Sequence, residues 1–367
     1  MVSYKIPSLI LTFINKEYKM GKNTIVLHAC GGCGIQLSHS VFETITNLGE
    51  GFSNIKTLYI DTSTSNYDKI QPKSDLFLIK TKDLGKGEIR GSGSERQTNA
   101  KDIIPNVKEY LDKNNIKEHK IDEYHVVAFS GSGGSGNVIA TIIIDLLLKK
   151  NIPVVALVVG DSQNGMSAIN TLNTLSTLNG VAMRNNKPLV ISYVNNHQYF
   201  KNNMLKAQKD ADDVISSNMT MLSLFLSGEH GDLDNQDMIN IIDQSNYKTI
   251  QIPAGLYGLH FFSGDVTTPS GTIPTVGRTL AMDDQDFDTK LQLLNHKKGV
   301  IDSNNVVNLL GNQLPVHMVV YANFFKIEES YLKPITDEYY SILDGIKIAD
   351  VNGSSRSNLD EETGFVF

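Results

Sequence analysis

Residues 125–136 read His-Val-Val-Ala-Phe-Ser-Gly-Ser-Gly-Gly-Ser-Gly, an apolar, β-branched run that passes directly into a glycine and serine loop. An apolar stretch of helical length follows over 137–148, and Pro153 restarts a second strand over 154–159. Strand, tight loop, helix and strand in that order build a βαβ unit. At its turn the helix N-terminus offers unpaired N–H groups, and the helix dipole favours negative charge. Glycine lets the backbone approach phosphate oxygens, and serine adds hydroxyl donors without bulk. The loop and the helix start behind it, Gly131, Ser132, Gly133, Gly134, Ser135, Gly136 and Asn137, therefore predict a nucleotide site.

The rest of the first half repeats the alternation. Strand-like runs lie at 24–29, 55–60, 76–79, 124–129, 154–159 and 189–194, with helical stretches between several of them, including 36–48 and 103–114. Such alternation implies a parallel sheet covered on both faces. The periodicity then changes: residues 203–226 carry one long helical pattern without proline or glycine, about 35 Å at 1.5 Å per residue. After it come an acidic loop, a short helix from Gln236, strands expected at 249–252, 257–262, 273–280 and 316–325, and a helix near 337–343. The expected division is an N-terminal extension (1–20), a nucleotide-binding domain (21–202), the central helix (203–227), a C-terminal domain (228–350) and an acidic tail (351–367). Met20 directly precedes the first clean strand, so a start there is as open as one at Met1.

Composition narrows the class. A net charge of −7 over 367 residues argues against a general nucleic-acid binder, and no charge-free apolar run is long enough to span a membrane. The two cysteines, Cys30 and Cys33, bracket a glycine pair. Zinc with His28 and His39 suits the ligand types. The simpler reading is that small side chains are needed where a strand enters a helix-opening turn, so no metal site is assigned.

Two nucleotide readings compete. Gly131, Gly133 and Gly136, with Asp161 ending the next strand, satisfy the dinucleotide fingerprint of nicotinamide and flavin enzymes. That fingerprint usually opens its domain, whereas three strands precede it here. Further polar or glycine-rich loops also follow the earlier strands. A phosphate-binding P-loop is excluded for want of Gly-Lys-Ser/Thr.

Several loops at the carboxyl ends of parallel strands, followed by a long helix and an acidic loop, resemble the tubulin/FtsZ superfamily. Ser130-Gly131-Ser132-Gly133-Gly134-Ser135-Gly136 matches that family's Gly-Gly-Gly-Thr-Gly-Ser-Gly loop at four of seven positions. Cys30-Gly31-Gly32-Cys33-Gly34 resembles the loop after the family's first strand, Ile60-Asp61-Thr62-Ser63 the segment after its second, and Gly91-Ser92-Gly93-Ser94 its γ-phosphate-sensing loop. The resemblance implies an α/β fold with a parallel-sheet GTP-binding domain joined by a long central helix to a smaller α+β domain. It implies GTP and Mg2+ as ligands, with contacts from Gly31, Gly32, Cys33, Gly34, Ser63, Gly91, Ser92 and Gly93. Base and ribose contacts would come from Asp213, with Asp212 close behind, from Asn195 or Asn196, and from Asn164, where the family's ribose glutamate is absent.

Asp232-Leu233-Asp234-Asn235-Gln236-Asp237-Met238 matches the family's Asn-x-Asp-x-x-Asp element after the central helix, with Asp232 in place of asparagine. The resemblance implies that Asp234 and Asp237 reach the next subunit's nucleotide and polarise the attacking water, so that hydrolysis depends on assembly. The alternative for these carboxylates is a helix cap, and if they prove only that, a nucleotide-binding protein without turnover is favoured. The degenerate glycine loop and an acidic tail ending in Phe-Val-Phe look most like phage tubulins of the PhuZ type, whose tails bind neighbouring subunits. The function so implied is a GTP-hydrolysing cytoskeletal filament in the cytoplasm of an infected bacterium. It would position phage DNA or capsid cargo indirectly, with self-association as the main partnership and with neither membrane nor direct nucleic-acid binding. A TubZ-like DNA-segregation tubulin and a nicotinamide-dependent dehydrogenase are the alternatives.

Overall fold

A computed structural model describes residues 22–46, 51–70, 75–79, 96–199, 204–247, 250–282, 291–301 and 303–345. Its first half alternates as the apolar runs require: β1 (Thr24–Cys30), α1 (Gly31–Thr46), β2 (Asn54–Asp61), a short α2 (Tyr67–Ile70), β3 (Leu76–Leu78), α3 (Arg96–Lys113), β4 (Glu123–Ser130), α4 (Ser135–Lys149), β5 (Val154–Gly160), α5 (Gly165–Arg184) and β6 (Pro188–Asn195). The six strands pair in parallel in the order β3-β2-β1-β4-β5-β6. β5 is buried at every position, the mark of a strand covered on both faces. Because side chains alternate along a strand, Ile25, Leu27, Val126 and Val155 enter one core and Val26, Val127 and Val158 the other. The second core is closed by α3, α4 and α5 through Val107, Ile139, Ile143, Leu175 and Leu178.

A single turn of 3-10 helix (Asn196–Tyr199) leads into α6 (Met204–Phe225). Ala211, Ile215, Met219 and Leu222 recur every three or four residues and bury one face of α6 in the first core. The chain continues through β7 (His230–Gly231), α7 (Asn235–Ile242), β8 (Gly255–Ser263), β9 (Ile273–Ala281), β10 (Asn295–Ile301), α8 (Asn304–Leu310), β11 (Val316–Ala322) and α9 (Phe324–Gly345). β8 joins β6 in parallel, pairing Pro188–Ile191 with Gly255–Gly258. The sheet then runs on as β8-β11-β9-β10-β7 with mixed directions, so among the described residues one eleven-stranded sheet spans the expected division through the β6–β8 pair. No helix among the described residues is long and apolar enough to cross a membrane.

Several expectations are corrected. Residues 31–34, expected as a loop, are the first turn of α1. Thr249 lies outside the described residues, and 250–252 form no strand; the place beside β6 is taken by β8 from Gly255 onward. The strand expected at 316–325 stops at Ala322, because Asn323 adopts φ 66° and turns the chain into α9. The helix near 337–343 is the later part of α9, whose interior Pro334 hides its continuity. The extension (1–20), the loop Gly91, Ser92 and Gly93, and the tail (351–367) lie outside the described residues.

Candidate nucleotide site

The sheet changes its direction of growth between β1 and β4, and in open α/β sheets that crevice is where ligands bind. Here α1 and α4 begin side by side. A Cβ on Gly31 would stand 2.7 Å from Gly136 Cα, and one on Gly136 would stand 2.9 Å from the Cys30 carbonyl oxygen. Gly31 also has φ 67°, a left-handed conformation that side chains resist. Gly34 is there for packing, since its Cβ would meet the Ala128 carbonyl at 2.2 Å. Neither helix has an acidic residue in its first turn, and Gly134 gives α4 no side-chain cap. By contrast, Asn164, Asp234 and Ser303 cap α5, α7 and α8. The N–H groups opening α4 are thus left for an external anion.

Asp61, at the end of β2, is nearly buried and closes one wall, accepting hydrogen bonds from Thr62 N at 2.7 Å and Ser135 Oγ at 3.2 Å. Burial pushes its carboxyl up, and those bonds restrain the rise. Asn66 lies over Gly32, and the hydroxyls of Ser63 and Ser65 meet at 2.9 Å. The glycine loop is braced from behind. Fully buried Asn137 donates to the carbonyls of Gly131 and Gly133, and Thr174 Oγ1 donates to Gly131 O at 2.7 Å. Asn170 Nδ2 reaches Ser132 O at 3.2 Å. Asn137 therefore shapes the loop and does not line the crevice. Asn170 and Thr174 escape sequence reading, because the only signal is their four-residue spacing on α5, a helix hidden by its threonines and asparagines.

The carboxylate loop lies elsewhere. Asp234 is the N-cap of α7: its Oδ1 accepts from Asp237 N at 2.8 Å, and Asp237 Oδ2 accepts from Asp234 N at 3.4 Å, a reciprocal capping box. Asp234 is exposed; Asp237 is buried, and its Oδ1 pairs with Lys297 of β10. Tyr124 Oη donates to Asn235 O at 3.4 Å, and the Asn23 and Asn235 side chains bond each other at 2.7 Å. Tyr124 belongs to the start of β4, whereas Ser130, at its end, opens the glycine loop. Six residues at ~3.3 Å each separate the two features by about 20 Å along one strand. The cradle and the carboxylates occupy opposite ends of the sheet.

No known protein-family model matches the chain. It is 27% identical over 231 residues to a phage tubulin-like protein of Pseudomonas phage 201phi2-1, covering 62% of this chain and 65% of that one. The match thus spans slightly under two thirds of the relative's length. Among solved structures, a protofilament of TubZ from bacteriophage PhiKZ superposes with a TM-score of 0.71 at 18% identity, covering 94% of this chain and 99% of the other. A phage tubulin PhuZ determined with GDP gives 0.68 at 20%, with the same coverage. The chain has the fold of the tubulin/FtsZ proteins and is similar in sequence to phage tubulin-like proteins. The order β3-β2-β1-β4-β5-β6 is also that of dinucleotide-binding sheets. What sets the tubulin fold apart here is α6 and the mixed sheet that extends it beyond β6.

On the far side of this tubulin-like crevice, the expected base contacts separate. Asp213 is exposed, whereas Asp212, one residue earlier on α6, is partly buried; burial, and after it Asp212, raise the thiol of Cys33 on α1. Burial, reinforced by Asp213, pushes the Asp212 carboxyl up to about 6. Of the two carboxylates, Asp212 is therefore the less exposed. Asn195 is fully buried and bonded to Ser162 Oγ, Tyr193 Oη and His197 N. Its neighbour Asn196 keeps a buried Oδ1 without a partner. Asn164 is exposed and accepts from Ser167 N at 2.9 Å. His28 bonds Tyr110 Oη at 2.8 Å and His125 Nδ1 at 3.0 Å, and burial pushes the Cys30 and Cys33 thiols up. Among the described residues no three candidate metal ligands cluster.

Proposed function

We propose that this chain binds and hydrolyses GTP and assembles head to tail into filaments, acting as a phage cytoskeletal protein in the cytoplasm of an infected bacterium. One observation carries the reading: an uncapped anion cradle and an acidic loop sit at opposite ends of β4. Stacked subunits would bring one chain's loop over the next chain's cradle, which no single chain can do. The solved neighbours, a TubZ protofilament and a phage tubulin with GDP, support the same reading.

The GTP phosphates would lie against the backbone of Gly31, Gly32, Cys33, Gly34 and Gly131–Gly136, with Gly91, Ser92 and Gly93 toward the γ-phosphate. Guanine offers two donors on its Watson–Crick edge, which the Asp212 carboxylate would accept and adenine cannot match. Asn196 would supply a further contact through its unpartnered oxygen, and Asn164 is the candidate nearest the ribose. Mg2+ would be held chiefly by the phosphates, where it offsets their charge. In the next subunit Asp234, exposed with one oxygen outside the cap, would orient the attacking water and take up its proton. Asp237 would hold the loop's geometry behind it. GDP and inorganic phosphate result, and loss of the γ-phosphate weakens the subunit contact. Cargo would be engaged by the filament indirectly.

Sedimentation and phosphate release across a protein-concentration series test this, with GTP, GDP, ATP and NAD compared. Pelleting with GTP, and release that rises faster than linearly with protein, are expected. NAD binding without polymer would sink the reading. A second reading rests on the capping box: if Asp234→Ala lowers stability yet leaves turnover per filament unchanged, both carboxylates are structural and the chain is a nucleotide-dependent polymer without this catalytic loop.

A further inference from the structure

We infer that Lys297, together with Arg278 beneath it, is a positioning residue that fixes Asp237 and through it the carboxylate loop. This rests on the assignment of that loop to hydrolysis. The two cations come from β9 and β10, far along the chain from the loop that they hold. Arg278 is only 1% exposed. Its guanidinium donates to Asp237 O at 3.0 Å, Tyr247 Oη at 2.9 Å, Asn295 Oδ1 at 2.9 Å and its neighbour's carbonyl, Gly277 O, at 2.7 Å. It fixes the Asp237 backbone by a rigid fork, which lysine could not imitate. Lys297 pairs with the Asp237 side chain from above, and its own side chain is 47% exposed.

The two contacts divide the work. A capping box alone holds Asp237 by one long bond, 3.4 Å from Asp234 N to Oδ2, which is weak by geometry. The ammonium on Oδ1 fixes the second oxygen, so the carboxylate plane cannot turn. Since Asp237 N donates to Asp234 Oδ1, a fixed Asp237 also fixes the direction in which the exposed Asp234 presents its free oxygen. Such supporting contacts hold reacting groups within tolerances where about 1 Å of misplacement costs on the order of 100-fold in rate. Lys297 matters to hydrolysis through Asp237, while touching neither the cradle of its own chain nor Asp234.

The test is a double-mutant cycle in full-length protein, reading GTP turnover per unit of pelleted polymer at saturating GTP, together with GTP affinity and thermal midpoint. Lys297→Met should lower turnover about 10- to 100-fold with GTP affinity unchanged, and Lys297→Arg should restore most of it. Asp237→Asn combined with Lys297→Met should be no slower than Asp237→Asn alone, because the lysine acts through that carboxylate. Fully additive losses would overturn the inference, as would wild-type turnover in Lys297→Met while Asp237→Asn is slow. Wild-type turnover in Asp237→Asn itself would instead remove the catalytic assignment of the loop, and this inference with it. If Lys297→Met fails to polymerise, mixing it with wild-type subunits supplies the polymer. Turnover that falls in proportion to the variant fraction is the expected result, and undiminished turnover overturns it.

Discussion

The close approach of Gly31 and Gly136 can be separated experimentally from the chemistry of the loop around it. Gly31→Ala forces a side chain into a left-handed conformation, which costs about 1–2 kcal/mol. Its Cβ would also stand 2.7 Å from Gly136 Cα, backbone that cannot swing aside as a side chain would; overpacking of this kind costs about 1–3 kcal/mol. Together they predict a loss of about 2–5 kcal/mol, a large share of the ~5–15 kcal/mol typical of a domain. Gly133→Ala, in the glycine loop after β4, is the control. Its nearest neighbour would be Ser130 Cβ at 3.6 Å, ordinary contact, and its φ is not left-handed. A reduced unfolded-state entropy even favours it by a few tenths of a kcal/mol. Urea unfolding of both variants without nucleotide, at matched slopes, gives the stability difference. Titration with a fluorescent GTP analogue gives affinity. Gly31→Ala should unfold at a markedly lower urea concentration. Gly133→Ala should be as stable as the parent yet bind GTP weakly, because its methyl occupies the phosphate approach. Parental stability in Gly31→Ala would refute the packing argument, and parental affinity in Gly133→Ala would refute the cradle.

Asp212→Asn should weaken GTP binding about 10- to 100-fold, the worth of hydrogen bonds to a charged acceptor, and leave ATP binding as it was; equal losses for both would remove Asp212 from base recognition. Arg278→Met should lower the unfolding free energy by about 2–4 kcal/mol, since one buried and two part-buried acceptors from separate segments lose their donor; a shift under about 0.5 kcal/mol in urea would contradict its bonding. Glu328 of α9 has a buried Oε2 without a partner, and burial pushes its carboxyl from 4.5 up to about 7. The folded state then binds the proton more tightly, so this contribution is complete below pH 4.5 and lost as pH rises to about 7. Glu328→Gln should therefore raise stability at pH 8 by about 3 kcal/mol and change little at pH 4. A gain confined to low pH would reverse the sign and refute it.

How much of this could be read from residues alone depended on where the signal was local. The glycine loop was legible because it lies between an unbroken apolar strand and an apolar helix. α6 was read to within one or two residues because nothing in 203–226 breaks a helix. α5 was not, since its threonines and asparagines have poor helix propensity and are held by burial against its neighbours. β10 opens Asn-His-Lys-Lys with those side chains partly or wholly exposed, so no apolar alternation announced it. On α6 the sequence left Asp213 and Asp212 side by side as candidates; helical register turns ~100° per position, and it leaves Asp213 exposed and Asp212 partly buried. The capping role of Asp234 and Asp237 was anticipated, but the cations holding them were not, since Arg278 and Lys297 approach from strands distant in sequence.

The seam between β6 and β8 has a consequence for how the chain is made. β6 is complete well before its neighbour in the sheet, and between them come α6, α7 and their connections. During synthesis at ~5–20 residues per second, the outer edge of β6 stands uncovered for on the order of several seconds. An uncovered edge is a template for another chain, and nascent copies of one protein meet on the same messenger. Pro188 removes one N–H from the first rung of that edge, and Gly255 brings the strand that closes it. The residues that complete the sheet therefore also end the period in which a newborn subunit is most prone to pair with the wrong strand.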